Sequence, residues 1–215
     1  CKNLTEIVIP DSVTWIGQYA FDGCTGLTEI IIPDNVTKIG QYAFSDCTKL
    51  SVVKLSKNLE SMGSGAFQNC YALKEIEIPK SLVKTNGGYY DTGKFANSGL
   101  TKITFEEGIT TIIDCLFKDC TGLTEIVIPD TVAEIENYAF SDCTNLNRVY
   151  LSKNLTTLGR ETFANCTALK EIEIPKSVTS ASSSFSGSGL ERALLADDMR
   201  KVPNGLFSGC TNLRE

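Results

Sequence analysis

The chain contains no histidine. The commonest general base is therefore missing, and a serine or cysteine nucleophile lacks its usual partner. No run of 18 apolar residues occurs, so the sequence holds no membrane-spanning helix. Positive charge is in deficit: 20 Lys and Arg stand against 26 Asp and Glu, a net charge of −6 with a pI near 4.9. That balance argues against nucleic acid and anionic membrane surfaces, and favours basic or neutral partners. The chain also starts at Cys1, with neither an initiator methionine nor a signal-like opening.

What is present is repetition. The octapeptide LTEIVIPD stands at 4–11 and again at 123–130. Aligned on its leucine, the chain gives Leu4, Leu27, Leu50, Leu73, Leu100, Leu123, Leu146, Leu169, Leu190 and Leu213, mostly 23 residues apart. A phenylalanine follows late in each unit: Phe21, Phe44, Phe67, Phe95, Phe117, Phe140, Phe163, Phe185 and Phe207. A cysteine trails it by three in most units, at Cys24, Cys47, Cys70, Cys120, Cys143, Cys166 and Cys210, leaving Cys115 off the series. A longer period overlies these, because CTGLTEI, AFSDCT, LSKNL and LKEIEIPKS each recur 96 residues on. The twin octapeptides are thus expected to be equivalent strands of a scaffold, not two active sites.

One unit, Leu27 to Lys49, shows how each turn is expected to run. Leu27, Ile30 and Ile32 have the L-x-x-L-x-L spacing of a leucine-rich-repeat strand, with Ile30 and Ile32 inward and Glu29 and Ile31 outward. Pro33 has no N–H for a ladder and ends the strand, and Asp34-Asn35 turns. Val36 and Ile39 point inward again, Gly40 permits a bend, and Tyr42-Ala43-Phe44 is expected to make a helical or 3-10 turn. One such unit cannot bury its apolar face, so stacking supplies the stability.

The expected fold class is an α/β, β-rich solenoid: a right-handed leucine-rich-repeat superhelix with parallel strands on the concave face and short strands and 3-10 turns on the other. Residues 1–215 are expected to be a single domain of about nine 22–23-residue repeats, interrupted by an insertion at 84–94. Neither end offers a polar capping unit, which predicts a fragment of a longer array.

The unit C-x-x-L-x-x-I-x-I-P-x-x-V-x-x-I-x-x-x-A-F resembles the BspA-like leucine-rich repeats of bacterial surface proteins, over the whole chain. Two units depart from it, ANSGL at 96–100 and SGSGL at 186–190, where a shorter Ser-Gly turn replaces the cysteine turn. The resemblance implies a secreted or cell-surface adhesion module with a protein or glycan partner, such as host extracellular matrix; that the chain is not an enzyme is expected from the missing histidine and the lack of a pocket. The resemblance names no ligand.

The in-phase cysteines and phenylalanines are expected to form buried core columns, the thiols acting as small hydrophobes. Parallel Cα–Cβ vectors do not suit disulfides, and only Cys115 and Cys120 approach a metal-type spacing, so neither bridge, metal nor cofactor is expected. The pairs Glu75/Glu77 and Glu171/Glu173 lie at i and i+2 on the exposed face, a separation glycosidases use, but on an open sheet with no pocket to raise one pKa. At the outward +2 position the charges Glu75, Lys102, Glu125, Arg148, Glu171 and Arg192 alternate in sign, which predicts a ladder of cross-strand pairs. Two binding patches stand out. Tyr150 with Arg148 and Val127 forms one, since Tyr and Arg dominate interface hot spots. Tyr89 and Tyr90, on the glycine-rich insertion KTNGGYYDTGK, form the other. N-glycosylation patterns at Asn3, Asn35, Asn154 and Asn165 are what a Thr- and Asn-rich turn repeat yields by chance.

Overall fold

The computed structural model describes residues 1–85 and 91–214, the side chains of Lys84 and Thr85 excepted. The chain divides into two compact units, Cys1–Glu106 and Glu107–Glu215. Each is a parallel-strand β-solenoid of about four turns. In the first, the strands run β1 (Trp15–Ile16), β2 (Glu29–Ile31), β3 (Lys38–Ile39), β4 (Val52–Lys54), β5 (Ser61–Met62), β6 (Glu75–Ile78), β7 (Lys84–Thr85) and β8 (Lys102–Phe105). The second has β9 (Thr111–Ile112), β10 (Glu125–Val127), β11 (Glu134–Ile135), β12 (Arg148–Tyr150), β13 (Thr157–Arg160), β14 (Glu171–Ile174), β15 (Ser180–Ser182) and β16 (Arg192–Leu195).

Even-numbered strands make the front of each unit and carry the L-x-x-I-x-I signature. Their pleat buries Ile30 and Ile32 and leaves Glu29 and Ile31 outside, and the same alternation holds for Ile76, Ile126 and Ile172. The back sheets are continuous: β1-β3-β5-β7 in the first unit and β9-β11-β13-β15 in the second, all parallel. Gly40 serves close stacking more than bending, because a Cβ there would lie 2.6 Å from the Gln18 backbone nitrogen.

The expected α/β description and the 3-10 turns need correction. No helix of either kind occurs among the described residues. The reason lies in where the backbone N–H groups go. Tyr19, Phe21 and Gly23 donate to the carbonyls of Gln41, Ala43 and Ser45 on the next turn, while the residues between them close local turns. Every second donor is thus taken out of the local chain. The residues that make this possible are left-handed: Tyr42 has φ 52° and Asp46 φ 56°, with equivalents at Tyr19, Asn69, Tyr138, Asp142 and Asn165. A single αL residue breaks the helical repeat, and Asn and Asp tolerate it better than most.

Behind these turns lie the two core columns. In the first unit Phe21, Phe44, Phe67 and Phe95 stack with centroids 5.0–5.3 Å apart. In the second Phe117, Phe140, Phe163, Phe185 and Phe207 stack at 5.2–6.0 Å. All are buried except Phe21 and Phe207, which are half-buried. Cys24, Cys47, Cys70, Cys120, Cys143 and Cys166 are buried and Cys210 half-buried, all as free thiols. They do more than fill space. Cys47, Cys70, Cys143, Cys166 and Cys210 each donate S–H to the phenylalanine carbonyl of the preceding turn, at 3.2–3.3 Å. Burial, followed by repulsion from the neighbouring thiol of the column, pushes the Cys47 thiol up to about 12 and raises Cys70 and Cys143 as well.

The front is not one sheet. It zips two strands at a time, β2-β4 and β6-β8 in the first unit, β10-β12 and β14-β16 in the second. Among the described residues no ladder joins β4 to β6 or β12 to β14. The twin octapeptides show the consequence. At 123–130 the sequence forms β10, zipped to β12, whereas at 4–11 it flanks β2 without a ladder and forms no strand. The charge ladder breaks in the same way. Glu75–Lys102, Glu125–Arg148 and Glu171–Arg192 pair at 3.3, 3.6 and 3.3 Å across zipped strands, and Arg148 and Glu171, on either side of a seam, each pair away from it.

Candidate functional site: a groove on the front of the second unit

The zipping pattern turns the front of the second unit into two ribs with a groove between them. On one rib, parallel register sets Val127 beside Tyr150 and Glu125 beside Arg148. On the other, Glu171 faces Arg192 and Glu173 faces Leu194. The groove holds about 470 Å³ and is lined by Val127 and Tyr150 from the first rib, by Glu173 and Pro175 from the second, and by Asp130 and Lys153 at one end. Tyr150 is 53% exposed and Val127 57%, and both present large apolar surface to solvent. Of the sequence-predicted patch, Val127 and Tyr150 line the groove, and Arg148 stands on the same rib, its guanidinium drawn to Glu125. Sequence reasoning missed Glu173 as part of this site. The signal was present, since Glu173 follows Tyr150 in the outward +4 series one repeat later.

The second predicted patch, Tyr89 and Tyr90, lies outside the described residues. Just beyond it the chain is anchored inward: Lys94 is fully buried with its ammonium 2.5 Å from Asp91. Thr92 also donates its N–H to the Ser64 hydroxyl at 2.9 Å.

Other polar clusters are occupied by structural work. On the back of the second unit, Glu136 accepts the Asp114 N–H and Asp114 accepts the Asn137 N–H, both at 2.8 Å. These carboxylates cap backbone donors that the short strands leave open. Glu106 accepts the Lys80 N–H, and this bond, with the Lys80 ammonium, lowers its pKa. Glu75 and Glu171, one member of each candidate carboxylate pair, are held by Lys102 and Arg192 on an open face. Among the described residues no three Cys, Asp or Glu side chains converge as a metal site requires. No helix there is long and apolar enough to cross a membrane.

Stacked parallel turns, inward L-x-x-I-x-I positions and a stripped-down back of turns define a leucine-rich-repeat solenoid. The chain belongs to the BspA-type leucine-rich-repeat family, whose model matches residues 1–92 and 89–214 in six copies. It is similar to the crystal structure of a leucine-rich repeat protein from Eubacterium ventriosum, 30% identical with a TM-score of 0.66 over 84% of this chain and 48% of that one. The chain thus spans about half the length of that protein. The leucine-rich repeat protein of T. pallidum is 28% identical with a TM-score of 0.55, covering 87% of this chain and 74% of its own. A leucine-rich cell surface protein of Faecalibacterium prausnitzii is 28% identical with a TM-score of 0.52, covering all of this chain and 65% of its own. No functionally curated protein matches the chain. Leucine-rich-repeat solenoids are generally interaction modules and not enzymes, presenting the broad surfaces that stacked repeats create.

Proposed function

We propose that this chain is an adhesive segment of a bacterial secreted or cell-surface protein, binding a protein or glycan of a host or neighbouring cell through the front of its second unit. One observation carries the reading: Tyr150 and Val127 stand half-exposed side by side on the wall of a groove, next to Arg148. An aromatic, a β-branched residue and an arginine together offer the large apolar and guanidinium surface on which interface hot spots are built. The cell-surface description of the F. prausnitzii protein and the family membership support the location. The acidic balance favours basic or neutral partners over nucleic acid.

The test is saturable binding of the purified chain to immobilised matrix proteins and glycans, compared with Tyr150→Ala. Loss of a demonstrated binding in the variant supports the reading. Binding indifferent to Tyr150→Ala removes it. A second reading, a passive spacer displaying another domain, draws on the mutual pairing of Glu75–Lys102, Glu125–Arg148 and Glu171–Arg192, which occupies the charges of the outward +2 series from Glu75 onward within the chain. A spacer binds nothing on the panel while remaining folded.

A further inference from the structure

The 96-residue duplication supplies an internal control. Val52, Lys54, Lys57, Glu77 and Pro79 in the first unit correspond to Arg148, Tyr150, Lys153, Glu173 and Pro175 in the second. In the first unit the seam between β4 and β6 holds two recesses, one of about 170 Å³ lined by Lys54, Lys57, Glu77 and Glu106 and one of about 290 Å³ lined by Val52, Glu75 and Glu77. Lys54 and Lys57 line the same recess as Glu77, with no ion pair to it among the described residues. In the second unit Tyr150 takes the place of Lys54 on the wall of the groove of about 470 Å³. One ammonium is gone, an aromatic face has appeared, and Glu173 has no ion-pair partner among the described residues. Lys153 does not replace the missing cation, because its ammonium is drawn to Asp130 at 3.9 Å.

An open ring and an uncompensated carboxylate across one groove are suited to a cationic side chain. The ring quadrupole attracts the charge, and the carboxylate accepts its N–H groups. Resting on the reading that this front binds a macromolecule, we propose that the β12–β14 groove takes an arginine or lysine side chain of a basic partner polypeptide, over Tyr150 and against Glu173. Val127 and Pro175 receive the aliphatic stem, as apolar surface usually does for such chains. The net charge of −6 steers such a partner toward the chain.

The experiment titrates the intact chain into a fluorescein-labelled glycine-arginine peptide and its citrulline counterpart, read by anisotropy at low salt. Tyr150→Ala and Glu173→Gln are each expected to weaken arginine-peptide binding about three- to fivefold. Glu134→Gln, the same change of net charge on the back sheet, leaves it unchanged. Lys54→Tyr rebuilds the second-unit arrangement in the first unit and raises the stoichiometry from one peptide to two. The proposal is overturned if Glu134→Gln weakens binding as much as Glu173→Gln, which would mark a diffuse charge effect, or if Tyr150→Ala has no effect. If a matrix protein is captured through Tyr150 while the arginine peptide does not bind, the adhesion reading stands and the cation site falls. If the peptide binds in the expected pattern while the panel stays silent, the cation site stands and the adhesion reading falls.

Discussion

Replacing Phe67 with alanine tests the stacked core at its centre. The ring is fully buried and lies parallel to two others, Phe44 at 5.0 Å and 5° and Phe95 at 5.3 Å and 8°. Removing a buried phenylalanine costs about 3–5 kcal/mol in lost transfer and cavity terms. Each aromatic pair adds about 0.5–1.5 kcal/mol beyond area, and Phe67 makes two, so the upper part of that range is expected. Phe207 is the contrast: half-buried, with one neighbour at 6.0 Å and 25°. Its truncation is expected to cost about 1–2 kcal/mol. Urea unfolding followed by far-UV circular dichroism measures both. Because repeats touch only their neighbours, loss at a central turn also uncouples the turns on either side, and the Phe67→Ala transition should broaden. A loss below about 1 kcal/mol, or one no larger than that of Phe207→Ala, would refute the stacked-core account.

The thiol column and the back turns set the other expected outcomes. In the folded chain a thiol reagent should label Cys1 quickly and Cys210 slowly, with the seven buried cysteines reacting only on unfolding; fast labelling of Cys70 or Cys143 would contradict the core. Burial raises Cys47, Cys70 and Cys143, so their contribution is fully present below the ordinary thiol pKa and is lost as pH rises above it, for Cys47 between 9 and about 12. Stability should therefore decline by up to about 1.4 kcal/mol per pH unit per thiol, and Cys47→Ala should flatten the slope. Ser98 occupies the cysteine place of its short turn, and its buried hydroxyl has no hydrogen-bond partner among the described residues. Ser98→Cys should add about 1 kcal/mol by restoring an S–H bond to the Phe67 carbonyl, measured as a higher urea midpoint; a lower midpoint contradicts it. Finally, burial and then repulsion from Asp142 raise the Asp119 carboxyl. The raised group favours folding at low pH and loses that contribution on ionising, so Asp119→Asn should stabilise at pH 7 by less than about 1 kcal/mol, with the gain fading in acid. The αL position suits the change, since Asn69 and Asn165 already hold the equivalent place.

The period made the fold legible. Ile30 and Ile32 inward, Glu29 and Ile31 outward, and one Phe and one Cys per turn could be read because each unit restates the same pattern. The helical turn at Tyr42–Phe44 misled because Tyr in αL carries no composition signal, unlike the glycine that takes its place at Gly65. Asp46 and Asn69 did carry one, as residues that tolerate positive φ just ahead of a turn cysteine. The alternate zipping of the front was not legible at all. LTEIVIPD is paired at 123–130 and unpaired at 4–11, so the difference resides in the neighbouring turn and not in the octapeptide. The groove beside Tyr150 exists through that pairing pattern, which is why the sequence yielded one wall of the site and missed Glu173 on the other.

The most direct test is binding of the wild-type chain, Tyr150→Ala and Glu173→Gln to an immobilised panel of matrix proteins and glycans, at low and high salt. The account predicts saturable binding to a basic protein that weakens with salt and with both substitutions. Binding that ignores both, or none at all by a folded chain, would contradict it and favour a passive spacer.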